Sequence, residues 1–239
     1  MRGNPPENSV LLNFADGYID HDTIVFPLLM ERGISCPCAM QGKILREQKV
    51  LVGNKIHFIF ASSGSGRVTE ALNRRLDYYR GRDYRYPSNR ELYEKLGKPN
   101  RFDDGDTIYI KRVLQAELPE TMRNQITDEL FREFVTDNET AFVGELYLSM
   151  DQIRLMRRSG MFFGVHGYEH YWFGALPKEI FSQDIPQALE VFDGIIDPGR
   201  WVFCYPYGSY SPELLDYARA RGCVAGVTVE PRPADLATD

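Results

Sequence analysis

Three short apolar runs in this chain each end directly on polar side chains that could bind a metal or a substrate. They are residues 10–14 before Ala15-Asp16-Gly17, residues 161–165 before His166-Gly167-Tyr168-Glu169-His170, and residues 201–204 before Tyr205-Pro206-Tyr207-Gly208. In parallel α/β barrels the functional residues lie at the carboxyl ends of the strands, where the following loops converge. The pattern therefore predicts one site assembled from three strand ends.

The rest of the chain favours the same fold class. Strand-like runs, the last over 223–229, alternate with helical patterns over 20–32, 150–158, 177–192 and 211–221. Such alternation implies parallel strands joined by right-handed crossovers. A chain of 239 residues could form one α/β barrel domain or two smaller domains, and we predict a single domain over residues 1–239.

One stretch departs from this alternation. After Ser62 no clear strand pattern appears until the second apolar run, whereas Ser88-Asn89-Arg90-Glu91 has the Ser-x-x-Glu form of a helix start. A helical apolar stripe follows over 119–135. We therefore predict a largely helical insertion over residues 53–140 within the α/β domain.

Charge and composition exclude several functional classes. The net charge is −6 and the sequence pI is about 5.4, so no basic surface favours nucleic acid or an anionic membrane. No segment approaches the roughly 18 apolar residues of a membrane span, and residues 1–9 lack the apolar centre of a signal peptide. We therefore expect a cytoplasmic protein. We expect reduced thiols at the four irregularly spaced cysteines, Cys36, Cys38, Cys204 and Cys223.

The histidine pair is the strongest chemical signal. His166 and His170 are four residues apart, so on a helical turn their side chains would share one face. Such a pair also arises by coincidence on protein surfaces, but here both histidines directly follow an apolar strand. Two neutral imidazoles and the carboxylate of Asp16 suit a divalent transition metal, with positions left open for water and substrate. We predict a metal site at these three residues, with zinc as the first candidate and cobalt, nickel and iron as alternatives.

Taken in order, the three segments resemble the first three motifs of the polysaccharide deacetylase family, also called the NodB-homology domain or carbohydrate esterase family four. Its first motif, Thr-Phe-Asp-Asp-Gly, corresponds to Asn13-Phe14-Ala15-Asp16-Gly17. The second, His-Ser/Thr-x-x-His, corresponds to residues 166–170, and the third, Arg-Pro-Pro-Tyr-Gly, to residues 204–208. The resemblance covers about residues 10–60 and 145–229, and it implies a distorted (β/α) barrel with fewer than eight strands.

The resemblance also implies roles for single residues. The metal ligands would be Asp16, His166 and His170, and the backbone N–H of Tyr207 would help to hold the oxyanion. Substrate contacts would come from Tyr205, Pro206 and Tyr168, although Tyr168 could equally be a core aromatic residue. The reaction implied is the attack of a water molecule on an N-acetyl carbonyl, with the metal and oriented N–H groups stabilising the tetrahedral oxyanion.

The sequence departs from the family pattern at the catalytic base. Ala15 occupies the position of the family's general-base aspartate, and Cys204 occupies that of the arginine that orients this base. No histidine follows Gly222 to match the acid of the family's last motif. We therefore predict that the metal site survives while activity is weak or absent, with Asp20 or His21 as alternative bases.

Two further segments offer weaker signals. Phe102-Asp103-Asp104-Gly105 spells the core of the first motif, but no apolar strand precedes it, so we predict an acidic turn. His57 lies in an apolar segment, where a packed or half-buried side chain is the simplest expectation.

The leading prediction is a metal-dependent hydrolase that removes N-acetyl groups from saccharides, such as intermediates of a surface polysaccharide. One alternative is a catalytically inactive relative that binds a saccharide or a partner enzyme. A second is a related metal hydrolase acting on cyclic imides or amides. The sequence leaves the sugar and the oligomeric state open.

Overall fold

The computed structural model describes residues 9–82 and 84–231, and its centre is a five-stranded parallel sheet. The strands are β1 (Phe14–Ala15), β2 (Pro37–Met40), β3 (Phe162–Val165), β4 (Trp201–Cys204) and β5 (Cys223–Val227). They lie side by side in the order β1-β2-β3-β4-β5, so each strand neighbours the next along the chain. Adjacent placement of successive parallel strands is the arrangement of (β/α) barrels. The predicted α/β class is confirmed.

The helices connect and flank these strands. They are α1 (Phe26–Glu31), α2 (Gly42–Glu47), α3 (Val52–Ser62), α4 (Ser65–Tyr79), α5 (Asn89–Leu96), α6 (Gly105–Arg112), α7 (Glu120–Phe134), α8 (Glu139–Leu146), α9 (Met150–Arg158), α10 (Lys178–Val191) and α11 (Pro212–Arg219). Short π-helical turns lie at His21–Val25 and Val113–Glu117, and 3-10 turns lie at Phe173–Ala175 and Pro206–Gly208. In the part of the chain described, no helix combines the length and apolar character needed to cross a bilayer.

The chain divides into two compact units, of which the first comprises residues 1–49 and 143–239. Its core lies between the sheet and the helices that follow the strands. Met40, Phe163 and Phe203 from the strands are fully or almost fully buried, as are Phe181 and Ile185 from α10. Burying side chains of this size is worth about 1.5–3 kcal/mol each, so this apolar layer supports the strand ends that carry the polar segments.

The second unit, residues 50–142, contains helices and no β-strand among its described residues. Within this unit the side chain of Lys55 is buried, with 3% of its surface exposed. Its Nζ atom lies 2.5 Å from the Asp128 carboxylate and 2.7 Å from the Glu139 carboxylate. A buried ammonium group needs such partners, because an unpaired charge in the interior costs several kcal/mol. The grouping of this region as an insertion within one domain stays a prediction.

Two local expectations are wrong. The first apolar run does not form a strand along its length, because β1 contains only Phe14 and Ala15 while Val10 and Leu11 are exposed. His57 is exposed on α3 rather than packed, because the buried stripe of that helix passes through Ile56 and Ile59.

The start of α9 supplies a test of the fold. The Ser149 side chain accepts the Gln152 N–H and the Gln152 side chain accepts the Ser149 N–H, which forms a capping box. Ser149→Ala should lower the free energy of unfolding by about 1 kcal/mol, measured by urea denaturation, because it leaves an N–H group without its acceptor. Ser159→Ala at the other end of α9 is the matched control, because the Ser159 hydroxyl makes no hydrogen bond to the described residues. Equal losses in both variants would contradict the capping role.

Candidate metal centre

Asp16, His166 and His170 meet at the carboxyl ends of β1 and β3. One potential ligand atom from each lies within 4.8 Å of the other two, and this is the one such group of three found among the described residues. Asp16 Oδ1 is 3.5 Å from the Nε2 atom of each histidine, and the two Nε2 atoms are 3.2 Å apart. A carboxylate oxygen and two imidazole nitrogens that converge in this way fit a divalent metal such as zinc.

Strand pairing brings these residues together. Ala15 pairs with Ala39 in the parallel ladder, and Met40 pairs with Val165. The residues that follow the three strands, Asp16, Gln41 and His166, therefore leave the sheet at one edge. Asp16 has a φ of 74° and Gly17 one of 65°, so the chain turns sharply as it leaves β1.

The sequence spacing predicted that the two histidines lie on a helical turn, and this prediction is wrong. The segment from His166 to His170 is a loop, in which Gly167 has a φ of 76° and His170 a φ of 64°. These left-handed residues fold the loop back on itself, and the ring centroids of the two histidines are 4.7 Å apart. A loop with two left-handed residues thus achieves the convergence expected from an i,i+4 helical pair.

The environment keeps both imidazoles neutral. His166 Nδ1 lies 2.5 Å from the backbone carbonyl of Cys204, and donation to that carbonyl leaves Nε2 free to face Asp16. Burial lowers the pKa of His166, and burial together with the neighbouring His166 lowers the pKa of His170 to about 4. Metal ligation requires the neutral imidazole, so these pKa shifts prepare both side chains for it.

Gln41 contacts the ligand cluster, a role that its residue type does not indicate. Its side chain is completely buried, and Nε2 donates to Asp16 Oδ1, the oxygen that faces both histidines. Gln41 Oε1 has no hydrogen-bond partner among the described residues. The available signal was its position: Gln41 directly follows an apolar strand, as Asp16 and His166 do.

The position at which the family resemblance predicts a general base carries no acidic group. Ala15 lies in β1 beside Asp16, and Cys204, at the end of β4, is buried. Burial raises the pKa of the Cys204 thiol, and the Asn13 side-chain amide lies 3.7 Å from its sulfur. A thiol in this state stays protonated at neutral pH and does not replace the missing carboxylate.

The alternative bases differ in accessibility. Asp20 is exposed, whereas His21 is 5% exposed with its ring edge-on to Phe14 and Tyr18. Burial lowers the pKa of His21. Neither residue belongs to the group of converging ligand atoms, and their role as a base stays a prediction.

Tyr207 lies against His170 and stacks with an exposed aromatic residue. It has a φ of 58° and a ψ of 13° within the 3-10 turn, and its ring centroid is 4.7 Å from that of His170. Trp172 stacks on the Tyr207 ring with a centroid distance of 4.1 Å and an interplanar angle of 6°. Trp172 is 56% exposed and Tyr207 38% exposed, so the pair offers an accessible aromatic surface beside the ligand cluster.

The side chains predicted to contact substrate are buried. Tyr168, Tyr205 and Pro206 are buried, and the Tyr168 hydroxyl donates to Glu47 at 2.8 Å. Tyr205 packs on Phe203 at a centroid distance of 4.8 Å. Tyr168 and Tyr205 belong to the core of the first unit, and a substrate contact by these three residues stays a prediction. Trp172 has the exposed aromatic surface that this role requires.

The Phe-Asp-Asp-Gly segment at residues 102–105 has a structural role in the second unit. Asp104 caps α6 by accepting the Thr107 N–H at 2.7 Å, and Asp103 forms an ion pair with Lys111 at 2.8 Å. Both carboxylates thus serve the turn and the helix that follows it, as predicted.

Comparison with known proteins identifies the family. The family model for polysaccharide deacetylases matches residues 101–226, more than half of the chain, and the protein belongs to that family. The match includes His166 and His170 but not residues 13–17. No curated protein sequence matches the chain.

Three solved structures of deacetylases align with most of this chain. The deacetylase PplD of Streptococcus pyogenes, solved in complex with acetate, aligns over 98% of this chain and 61% of its own, with 13% identity and a TM-score of 0.51. IcaB from Ammonifex degensii aligns over 95% and 64%, with 16% identity and a TM-score of 0.47. A de-N-acetylase from Aggregatibacter actinomycetemcomitans aligns over 99% and 69%, with 15% identity and a TM-score of 0.48. The chain therefore spans 61% of the length of PplD, and this likeness supports the predicted distorted-barrel fold.

The lowered histidine pKa values give a pH-dependent stability. An unfolded histidine takes up a proton near pH 6.5, whereas His170 in the folded chain resists protonation down to about pH 4. Acidification from about pH 7 to about pH 4.5 should therefore lower the free energy of unfolding of the metal-free protein, because the unfolded state binds more protons. His170→Gln should show a smaller decrease, measured by urea denaturation at each pH. The same decrease in His170→Gln and in the wild type would contradict the lowered pKa of His170. His57→Gln is the control, because this side chain is exposed, and it should show the decrease of the wild type.

Proposed function

We propose that this protein is a metal-dependent hydrolase of the deacetylase type, acting on N-acetyl groups of a saccharide such as an intermediate of a surface polysaccharide. The observation that carries the proposal is the convergence of Asp16, His166 and His170 in a member of the polysaccharide deacetylase family. Zinc is the first candidate for the metal, with cobalt, nickel and iron as alternatives that accept the same ligands.

Each residue of the site would have a separate task. Asp16 and the two histidines would hold the ion, which when bound supplies a Lewis acid and a source of nucleophile. The Cys204 carbonyl keeps the His166 ring in the orientation that presents Nε2. The backbone N–H of Tyr207 would donate to the oxygen that gains negative charge as the N-acetyl carbonyl is attacked. The exposed face of Trp172 would receive the sugar ring, which has apolar C–H faces of its own.

Ala15 limits the rate in this proposal. A methyl group at the base position cannot take the proton of the attacking water, and loss of a positioned base typically lowers the rate about 10²–10⁴-fold. The protein would thus bind its metal and its saccharide while turning the substrate over slowly.

Restoring the carboxylate tests the proposal. Ala15→Asp should raise acetate release from N-acetylated oligosaccharides by about 10²-fold or more in the zinc-loaded protein. Ala15→Asn is the matched control, because it has the same shape without a basic group, and it should give no increase. Zinc content would be measured for all three proteins. Equal rates in Ala15→Asp and wild type, at equal zinc content, would contradict the missing-base account, and absence of zinc affinity in all three would overturn the metal site.

Ala15 and the protonated Cys204 also favour a second function, a saccharide-binding protein without turnover. In that case N-acetylated oligosaccharides would bind to the wild-type protein, as measured by calorimetry, without release of acetate over long incubations. Acetate release by the wild type that stops on removal of the metal would decide against this second function.

The aromatic surface can be tested by binding alone. Trp172→Ala should weaken binding of N-acetylated oligosaccharides about 10-fold, because the stacked ring and the apolar area it covers are lost. Trp172→Phe should retain most of the affinity, and Tyr78→Ala removes an exposed aromatic ring from the second unit as a control. Unchanged affinity in Trp172→Ala would remove this residue from the binding surface.

A further inference from the structure

The loop between the two histidines is held by a buried carboxylate from a neighbouring helix. Asp184 lies in α10 and is 3% exposed. Its Oδ1 accepts the N–H of Tyr168 at 2.7 Å, and its Oδ2 accepts the N–H of Glu169 at 2.8 Å. Both carboxylate oxygens thus bind consecutive N–H groups of the segment that separates the two metal-ligand candidates.

The carbonyl groups of the same loop are bound by a second helix. Gly42 N–H and Lys43 N–H, in the first turn of α2, donate to the carbonyls of Gly167 and Tyr168 at 3.2 Å each. Lys43 Nζ also lies 2.6 Å from the Glu169 carboxylate. The loop is therefore fixed through its N–H groups by α10 and through its carbonyls by α2.

Gly167 makes this close approach possible. A Cβ atom at this position would lie 3.0 Å from Asp184 Oδ1 and 3.1 Å from ring carbons of Phe173, and its φ of 76° is strained for other residues. The loop turns without a side chain at 167, so the space beside its backbone is filled by the Asp184 carboxylate.

A carboxylate suits this position better than an amide. Burying a charge is costly unless hydrogen bonds compensate it, and two N–H donors to one carboxylate provide charge-assisted bonds. An asparagine would offer one oxygen to one N–H and direct its NH₂ group at the other. The exchange would leave a buried donor without an acceptor and push the loop away from α10.

We propose that Asp184 is a positioning residue of the metal centre. Its carboxylate holds the backbone of residues 167–169 in the turn that directs His170 towards Asp16 and His166. Displacement of the turn would move His170, because His170 directly follows the two N–H groups that Asp184 binds and has a left-handed backbone. This inference rests on the metal site of the proposed function.

Metal affinity separates this role from simple support of the fold. Asp184→Asn should lower the affinity for zinc about 10–100-fold, measured in competition with a chromophoric chelator, as expected when a group that orients a ligand is lost. The visible spectrum of the cobalt(II)-loaded variant should change as well, because the His170 ligand is displaced. The matched control is Ile185→Val, a fully buried neighbour of Asp184 on α10 whose side chain lowers stability when shortened but offers no hydrogen bond to the loop N–H groups. The zinc affinity of this control should lie within about 2-fold of the wild-type value, and its cobalt spectrum should match that of the wild type.

The outcomes distinguish this inference from the proposed function. Wild-type zinc affinity and an unchanged cobalt spectrum in Asp184→Asn would overturn the positioning role alone. Absence of zinc affinity in the wild type would overturn both the metal site and the positioning role.

A measurement on the wild type covers the case in which Asp184→Asn does not fold. In the metal-free protein the amide hydrogens of Tyr168 and Glu169 should exchange far more slowly than in an unstructured peptide, because Asp184 binds them before any ion arrives. Exchange of these two amides at unstructured-peptide rates would overturn the inference.

Discussion

Parallel pairing of β1, β2 and β3 in one register is the constraint on which the site depends. The pairs Ala15 with Ala39 and Met40 with Val165 place three strand ends at one edge of the sheet. A shift of one residue in either ladder would turn side chains to the opposite face and separate the ligand atoms. Burial of Met40, Phe163 and Val165 favours this register, so their packing supports the distances between Asp16 and the histidines.

Much of the fold could be predicted from sequence, because it depends on periodicity and on local capping chemistry. The prediction of a helix over 150–158 agrees with α9, and the Ser88-x-x-Glu91 pattern forms a complete capping box. The loop at 166–170 could not be predicted in the same way. Its turn requires a positive φ at Gly167 and also at His170, a residue type that gives no clear signal of that conformation.

The contributions of Gln41 and Asp184 were also beyond the sequence reasoning, for two different reasons. Gln41 follows a strand and could have been selected by position, but a glutamine has no strong prior as part of a metal site. Asp184 lies in the middle of a helix, where an acidic residue is usually solvated. Only the three-dimensional contact with the loop backbone reveals that this carboxylate is buried and bound to two N–H groups.

The stacked ring of Trp172 gives the site an optical property. The chain contains two tryptophans, and the other, Trp201, is buried in the sheet, where its indole N–H donates to the Arg221 carbonyl at 2.8 Å. Trp172, in contrast, is exposed and connected through the Tyr207 ring to His170. Changes in indole emission on adding an ion or a sugar therefore arise mainly from one place, and the protein carries its own fluorescent reporter of events at the ligand cluster.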